Sequence, residues 1–386
     1  MELFSKEKLG REFPMAENFL YFASASTGIV PEVSLRAQEN FIDLYRNSEL
    51  FHDPETFRMM ARLRTNIEKL IGAQPGEIAL MTNTSDGINS IASAVDWAEG
   101  DEVLIGDREF PANTYPWQNQ KRRGVEIKWL HMDEYRLTPE LIEKAIGPKT
   151  RLLAISSVQF SDGYRADLKS IYEICRRRGV LLFVDGIQSV GALKTDVGDC
   201  CDFFVAGGQK HLLSPYGTGF LYVRKEVLPT LKPAFDGWLS HFITPEDFLD
   251  LLKHGLPPAP DARQFEVGTL PYGPLWGMDA SISMLLEIGP DIIHNHNIGL
   301  ADYFCELAGN ISGVTIRSIR NTSAKSHIVT IEVPNARAVA EVLRANRTVV
   351  SVREGGLRFA FHVYNTASQI ERALSLLERV IKGEIC

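Results

Sequence analysis

The chain has 386 residues, 45% hydrophobic and 23% charged, which is enough for one large globular body and a smaller one. Its 41 Lys and Arg face 49 Asp and Glu, and a net charge of −8 offers no electrostatic footprint for nucleic acid or an anionic membrane. Five scattered cysteines (Cys175, Cys200, Cys201, Cys305, Cys386) lack metal-ligand spacing and suit a reducing compartment, and no window nears the ~20 apolar residues of a membrane span.

In chain order, Met1 to Pro14 mixes charges with single apolar residues and has no signal-peptide core, so a cytoplasmic location is expected. From Glu77 to Val205 short apolar runs alternate with helical stretches. The runs are Glu77–Thr82, Glu102–Gly106, Ile127–Met132, Arg151–Val158, Val180–Val184 and Asp202–Ala206. Nearly unbroken hydrophobics suit strands covered on both faces. Gly87–Ala98, Thr138–Ile146 and Asp167–Arg178 read as the helices between them. Strand–helix alternation predicts a doubly wound, mostly parallel sheet, with ligands beyond the carboxyl ends of its strands. Another strand follows the glycine turn of Ser214–Val223, and after Tyr222 the rhythm changes. The Pro-rich stretch 256–261 reads as a connection, and a long helix follows Gly277 to Ile288. The tail reads strand His327–Val333, helix Ala336–Arg344, strands Val349–Arg353 and Leu357–Val363, then helix Ala367–Ile381. Thr366 and Gln369 stand at capping-box spacing before that last helix. The expected division is a large domain over 16–255 and a small α+β domain over 256–386, joined by residues 1–15.

Three strand ends carry chemistry. Asp185 closes Val180-Leu-Leu-Phe-Val and could hold a protonated ring nitrogen, although alone it reads equally as a turn residue before Gly186. Lys210, after Phe203-Phe-Val-Ala-Gly-Gly-Gln, is placed for partial desolvation, which lowers an amine's pKa and favours a Schiff base with an aldehyde. Met81-Thr-Asn-Thr-Ser-Asp-Gly opens a helix, where backbone N–H groups with Thr84 and Ser85 can hold an anion or simply cap. No metal site is expected.

Together these segments resemble the class V aminotransferase family of fold-type I enzymes dependent on pyridoxal 5'-phosphate (PLP), from Asn18-Phe-Leu-Tyr-Phe-Ala-Ser-Ala-Ser-Thr-Gly28 to the last helix. The family includes cysteine desulfurases, isopenicillin N epimerase-like proteins and kynureninases. The resemblance implies an α/β fold with a large, mostly parallel seven-stranded sheet domain and a smaller α+β C-terminal domain. It implies that Lys210 carries PLP, Asp185 pairs with the pyridinium, and Gln188 lies near the ring's phenolic oxygen. Thr84 and Ser85 would take the phosphate, with Gln209 an uncharged contact where many relatives have histidine. Phe110, in Glu109-Phe-Pro-Ala-Asn113, would stack on the ring with Asn113 a polar neighbour. Gly268 and Thr269 would reach the neighbouring subunit's phosphate, implying a homodimer with shared sites. Arg358 would clamp the α-carboxylate of an amino-acid substrate, a task suited to a planar guanidinium, with Ser26 and Thr27 nearby. Tyr272, Arg353 and His362 are further candidates for steering the reaction, and each could equally be structural.

Val349-Val-Ser-Val-Arg-Glu-Gly-Gly-Leu-Arg358 has no cysteine, so persulfide-forming desulfurase chemistry is not expected. Transamination leads, with β-elimination or C–S lysis and epimerisation as alternatives. A non-catalytic binding module is opposed by the intact Asp185, Lys210 and Arg358.

Overall fold

The structure, a computed structural model, describes residues 6–47, 54–132, 136–241, 252, 254–320 and 323–385. Its strands are β1 (Leu20–Tyr21), β2 (Ile78–Met81), β3 (Glu102–Gly106), β4 (Glu126–Leu130), β5 (Thr150–Ser156), β6 (Leu181–Asp185), β7 (Phe203–Gly207) and β8 (Gly219–Val223). The series ends with β9 (Thr315–Ile316), β10 (Ile328–Glu332), β11 (Thr348–Val349), β12 (Ser351–Arg353) and β13 (Gly356–Ala360).

Strands β2 to β8 form one seven-stranded sheet in the order β2-β8-β7-β6-β5-β3-β4, with β8 antiparallel to both neighbours and the remaining pairs parallel. The expected parallel sheet is therefore present with one reversed strand. Its apolar runs are continuous because both faces are covered. Leu182 and Val184 enter one cluster, while Phe183 between them enters the other. Helix starts follow local chemistry: the Asp167 side chain accepts from Ser170 N–H, and Thr366 and Gln369 form the expected capping box.

A second sheet, β12-β13-β10-β9, is antiparallel. Helices Pro290–Ala308, Ala336–Ala345 and Ala367–Ile381 share its apolar cluster. Packing divides the chain differently from a cut at 255/256. Helix Tyr272–Ile288 buries Leu275, Met278, Ile282 and Leu285 in the large cluster, against helices Glu32–Arg46 and Pro54–Ile71. Conversely, β1 pairs with β11, and Leu20 and Phe22 join the C-terminal core.

Cys175, Cys200, Cys201 and Cys305 are free and buried; Cys386 lies outside the described residues. Among the described residues no helix is long and apolar enough to cross a membrane.

Candidate active site

Strands β6 and β7 run in parallel with Asp185 opposite Val205, so the acid and the segment carrying Lys210 leave the same edge of the sheet. Past β7 the chain turns tightly: Gly208 N–H donates to Thr218 O at 2.8 Å, and Ser214 N–H donates to Gly208 O at 2.9 Å. Gly28 N–H donates to Gln209 O at 2.9 Å, and a Cβ at Gly28 would lie 2.0 Å from Lys210 O. The N-terminal segment is thus pressed against the lysine's backbone.

Asp185 is 2% exposed, and its Oδ1 accepts from Ile187 N–H at 3.0 Å. Burial pushes its carboxyl up to about 6, while the Ile187 amide and the Lys210 charge pull it back. Burial draws Lys210 down to about 8. Asp185 opposes that fall, and Arg358 and Arg353 add to it. Lys210 Nζ lies 5.4 Å from the centroid of the Phe110 ring, which is 41% exposed and meets Phe160 edge-on at 5.3 Å.

Beneath Phe110 lies an acid that sequence reasoning passed over. Glu109 is buried and accepts from Ser156 N–H (2.9 Å), Gln159 Nε2 (2.7 Å), Asn113 Nδ2 (3.3 Å) and the Ser156 hydroxyl. Burial pushes its carboxyl up. Asn113, expected beside the cofactor, is fully buried, donates to Glu109 and accepts from Trp117 Nε1 at 3.2 Å. Both ends of its amide are engaged within the loop, where it supports Phe110. The available signal was an acid in the turn after the parallel strand β3, three residues past its last residue Gly106.

Helix Thr84–Ala94 starts with Asn83 capping Asp86 N–H at 2.9 Å. Thr84 Oγ1 accepts from Gly207 N–H at 2.9 Å, which ties this helix start to the lysine's turn; Ser85 is exposed beside it. A Cβ at Gly207 would lie 2.5 Å from Gln209 Oε1 and 3.2 Å from Thr84 Oγ1. Only glycine leaves that polar cradle open. Gly268 and Thr269 line a cavity of about 250 Å³ with Thr82, Asp86 and Phe235, along the same helix start.

Gln188 donates Nε2–H to Ala25 O at 3.0 Å, and its Oε1 faces His211 Nε2 at 3.0 Å. His362, an even choice from sequence, is resolved by its partners. Its Nδ1 accepts from Val363 N–H and its Nε2 donates to His211 O, both at 2.9 Å, so it is neutral and braces the residue next to Lys210. Tyr272 packs against the large apolar cluster.

Arg358, on β13, is 2% exposed. Its Nη1 donates to Phe160 O at 2.5 Å and its Nη2 to Ser26 Oγ at 2.8 Å, while its Nε is buried without a partner. Burial draws this guanidinium down to about 9, with Arg353 adding to the fall. Thr27 Oγ1 instead pairs with Tyr216 OH at 2.9 Å. A buried cation without a counter-ion is costly and asks for an anionic ligand.

The family described as Aminotransferase class-V matches residues 19–373. The chain is 30% identical over 371 residues to the "Uncharacterized aminotransferase YcbU" of Bacillus subtilis (strain 168), covering 95% of this chain and 96% of that one. It is 27% identical to a "Probable cysteine desulfurase" of Methanothermobacter thermautotrophicus, covering 97% and 98%. The fold matches the apo structure of a cysteine desulfurase from Thermococcus onnurineus NA1 with a TM-score of 0.87 at 23% identity, over 99% of this chain and 100% of that one. The chain belongs to the class V aminotransferase family.

Proposed function

We propose that this member of the class V aminotransferase family acts on α-amino acids with PLP held at Lys210, and that its reaction is transamination. The donor set fits that group. Lys210 is an amine with a lowered pKa, Asp185 a buried acid suited to a ring cation, and Thr84, Ser85 and Gln209 polar partners for a phosphate at a helix start. When bound, PLP supplies an electron sink for the bond broken at the substrate's Cα.

The chain's own residues do the rest. Arg358, with Ser26 steadying its Nη2, binds the α-carboxylate and so fixes the orientation of Cα. Asp185 balances cationic charge at the strand ends. Phe110, braced through Glu109 and Asn113, covers the lysine from water. Gln188, held by Ala25 and His211, keeps its amide fixed beside the lysine's turn. Lys210 Nζ takes and returns the proton at Cα.

The observation that carries this reading is the pairing of a half-buried amine drawn toward neutrality with a buried arginine that has no counter-ion among the described residues. The charged groups acting on Lys210 are Asp185, Arg358 and Arg353; with Asp185 assigned to the ring cation and Arg358 to the carboxylate, the lysine is the group left to carry the proton. One proton carrier suits transamination. It also suits β-elimination, the second reading, but not an epimerisation that needs bases on opposite faces.

The protein should be yellow, and borohydride should fix the cofactor to Lys210. A borohydride-stable adduct elsewhere in Lys210→Ala protein refutes the assignment. Incubation with a panel of amino acids separates the reactions: conversion to the pyridoxamine form indicates transamination, while pyruvate and ammonia without it indicate elimination.

The proposal includes a cytoplasmic homodimer with shared sites. Its support is the exposure of Tyr216, Phe235 and Val267, the last beside Gly268 and Thr269, and the buried free thiols. A monomer with full cofactor occupancy on sizing would contradict it.

A further inference from the structure

Arg358 has a neighbour of the same charge. β12 and β13 form a hairpin in which Ser351 pairs with Arg358 and Arg353 with Gly356. The two turn residues, Glu354 and Gly355, both have positive φ (47° and 78°), as the tightest hairpin turns require. Strand pleating puts Ser351, Arg353 and Arg358 on one face. Ser26 meets that face: its Oγ lies 2.8 Å from Ser351 Oγ, 2.8 Å from Arg358 Nη2 and 3.2 Å from Arg353 Nη2.

Two guanidiniums therefore share one neutral hydroxyl. The other contact of Arg353 is with its neighbour's carbonyl, Nη1 donating to Val352 O at 2.8 Å. Among the described residues neither arginine has an ion-pair partner, and the adjacent Glu354 is exposed and pairs with neither. Like charges at this range repel, and part-burial weakens the solvent's screening. A single α-carboxylate on Arg358 leaves Arg353 uncompensated. The two also sit at different depths, with Arg358 buried on the floor and Arg353 half-buried next to the exposed turn.

We infer that Arg353 is a second anion-binding group, and that the substrate is an α-amino acid whose side chain carries its own acidic group. This rests on the amino-acid reading above. Arg358 takes the α-carboxylate on the floor, Arg353 takes the distal acid nearer the mouth, and Ser26 and Ser351 hold the spacing between them. The short Glu354-Gly355 turn sets both arginines in one register, so lengthening it would separate them.

The test is a titration of the PLP-loaded protein, reading the change in cofactor absorbance with aspartate, glutamate, their amides asparagine and glutamine, and alanine. The acids should bind at least about tenfold more tightly than their amides, the scale of a charge-assisted hydrogen bond. Arg353→Gln should bring the acid-to-amide affinity ratio down to about one, and Arg353→Lys should keep part of it. Amides binding as tightly as acids to the unaltered protein overturn the inference without any variant. An Arg353→Gln protein that loses alanine and glutamate binding equally also overturns it, because Arg353 would then share the α-carboxylate. If no α-amino acid perturbs the cofactor, the inference falls together with the amino-acid reading.

Discussion

Replacing Asp185 by Asn isolates the electrostatics of the lysine. Lys210 sits at about 8 because burial draws it down from its ordinary 10.5 while Asp185, the one group raising it, holds it up. An opposite charge at close range is worth about 1–3 pKa units, or about 1.4–4 kcal/mol. Asp185→Asn keeps the burial and removes that support, so Lys210 should fall to between about 5 and about 7. Arg358→Gln removes a charge that lowers the lysine, and Lys210 should rise above its present value. In cofactor-free protein, modification of Lys210 by an amine-acylating reagent, quantified by peptide mass spectrometry from about pH 5 to about pH 10, follows the unprotonated fraction. The midpoint should move down in Asp185→Asn and up in Arg358→Gln. A midpoint that stays fixed or rises in Asp185→Asn would refute the coupling.

Gly28→Ala drives a Cβ into Lys210 O, so cofactor uptake should fall sharply while circular dichroism still reports a folded protein. Unchanged uptake would show that the N-terminal segment does not set the lysine's turn. Glu266 is buried, forms a two-pronged pair with Arg64 (2.9 and 2.5 Å) and accepts from Leu80 N–H at 2.8 Å. Glu266→Gln strands that arginine and should cost about 3 kcal/mol, read as a lower urea midpoint; a loss below about 1 kcal/mol would contradict it. His362 is drawn down from 6.5 to about 3 by burial, so the unfolded chain takes a proton that the folded one refuses. Its stabilising contribution is present above about pH 6.5 and is lost as pH falls toward about 3. Between about pH 7 and about pH 5 that share is about 2 kcal/mol, and urea titrations of His362→Gln should show an acid limb shallower by that amount.

Much of the frame was legible in the chain. Continuous apolar runs have one low-energy arrangement, a sheet covered on both faces; the strand Glu102–Gly106 and the capped helix Ala367–Ile381 were located to the residue. The strand-end rule drew attention to Asp185, Lys210 and Thr84 because a parallel sheet presents its carboxyl ends together. Helices Glu32–Arg46, Pro54–Ile71 and Pro290–Ala308 were less legible, since they lie outside the strand–helix rhythm and are organised by what they pack against. For the same reason helix Tyr272–Ile288 lies with the large core although it follows the Pro-rich connection.

Composition and periodicity by themselves determined the fold class, the strand ends at which chemistry is presented and the caps that start helices, because each depends on neighbours within a few residues. Only the tertiary structure decided which polar groups are satisfied. It turned Asn113 inward to Glu109 and Trp117, made His362 a neutral brace, brought Glu109 under Phe110, and left Arg353 and Arg358 sharing Ser26 with no counter-ion among the described residues. Whether a buried charge has a partner depends on residues hundreds of positions away, and local pattern carries no record of that distance.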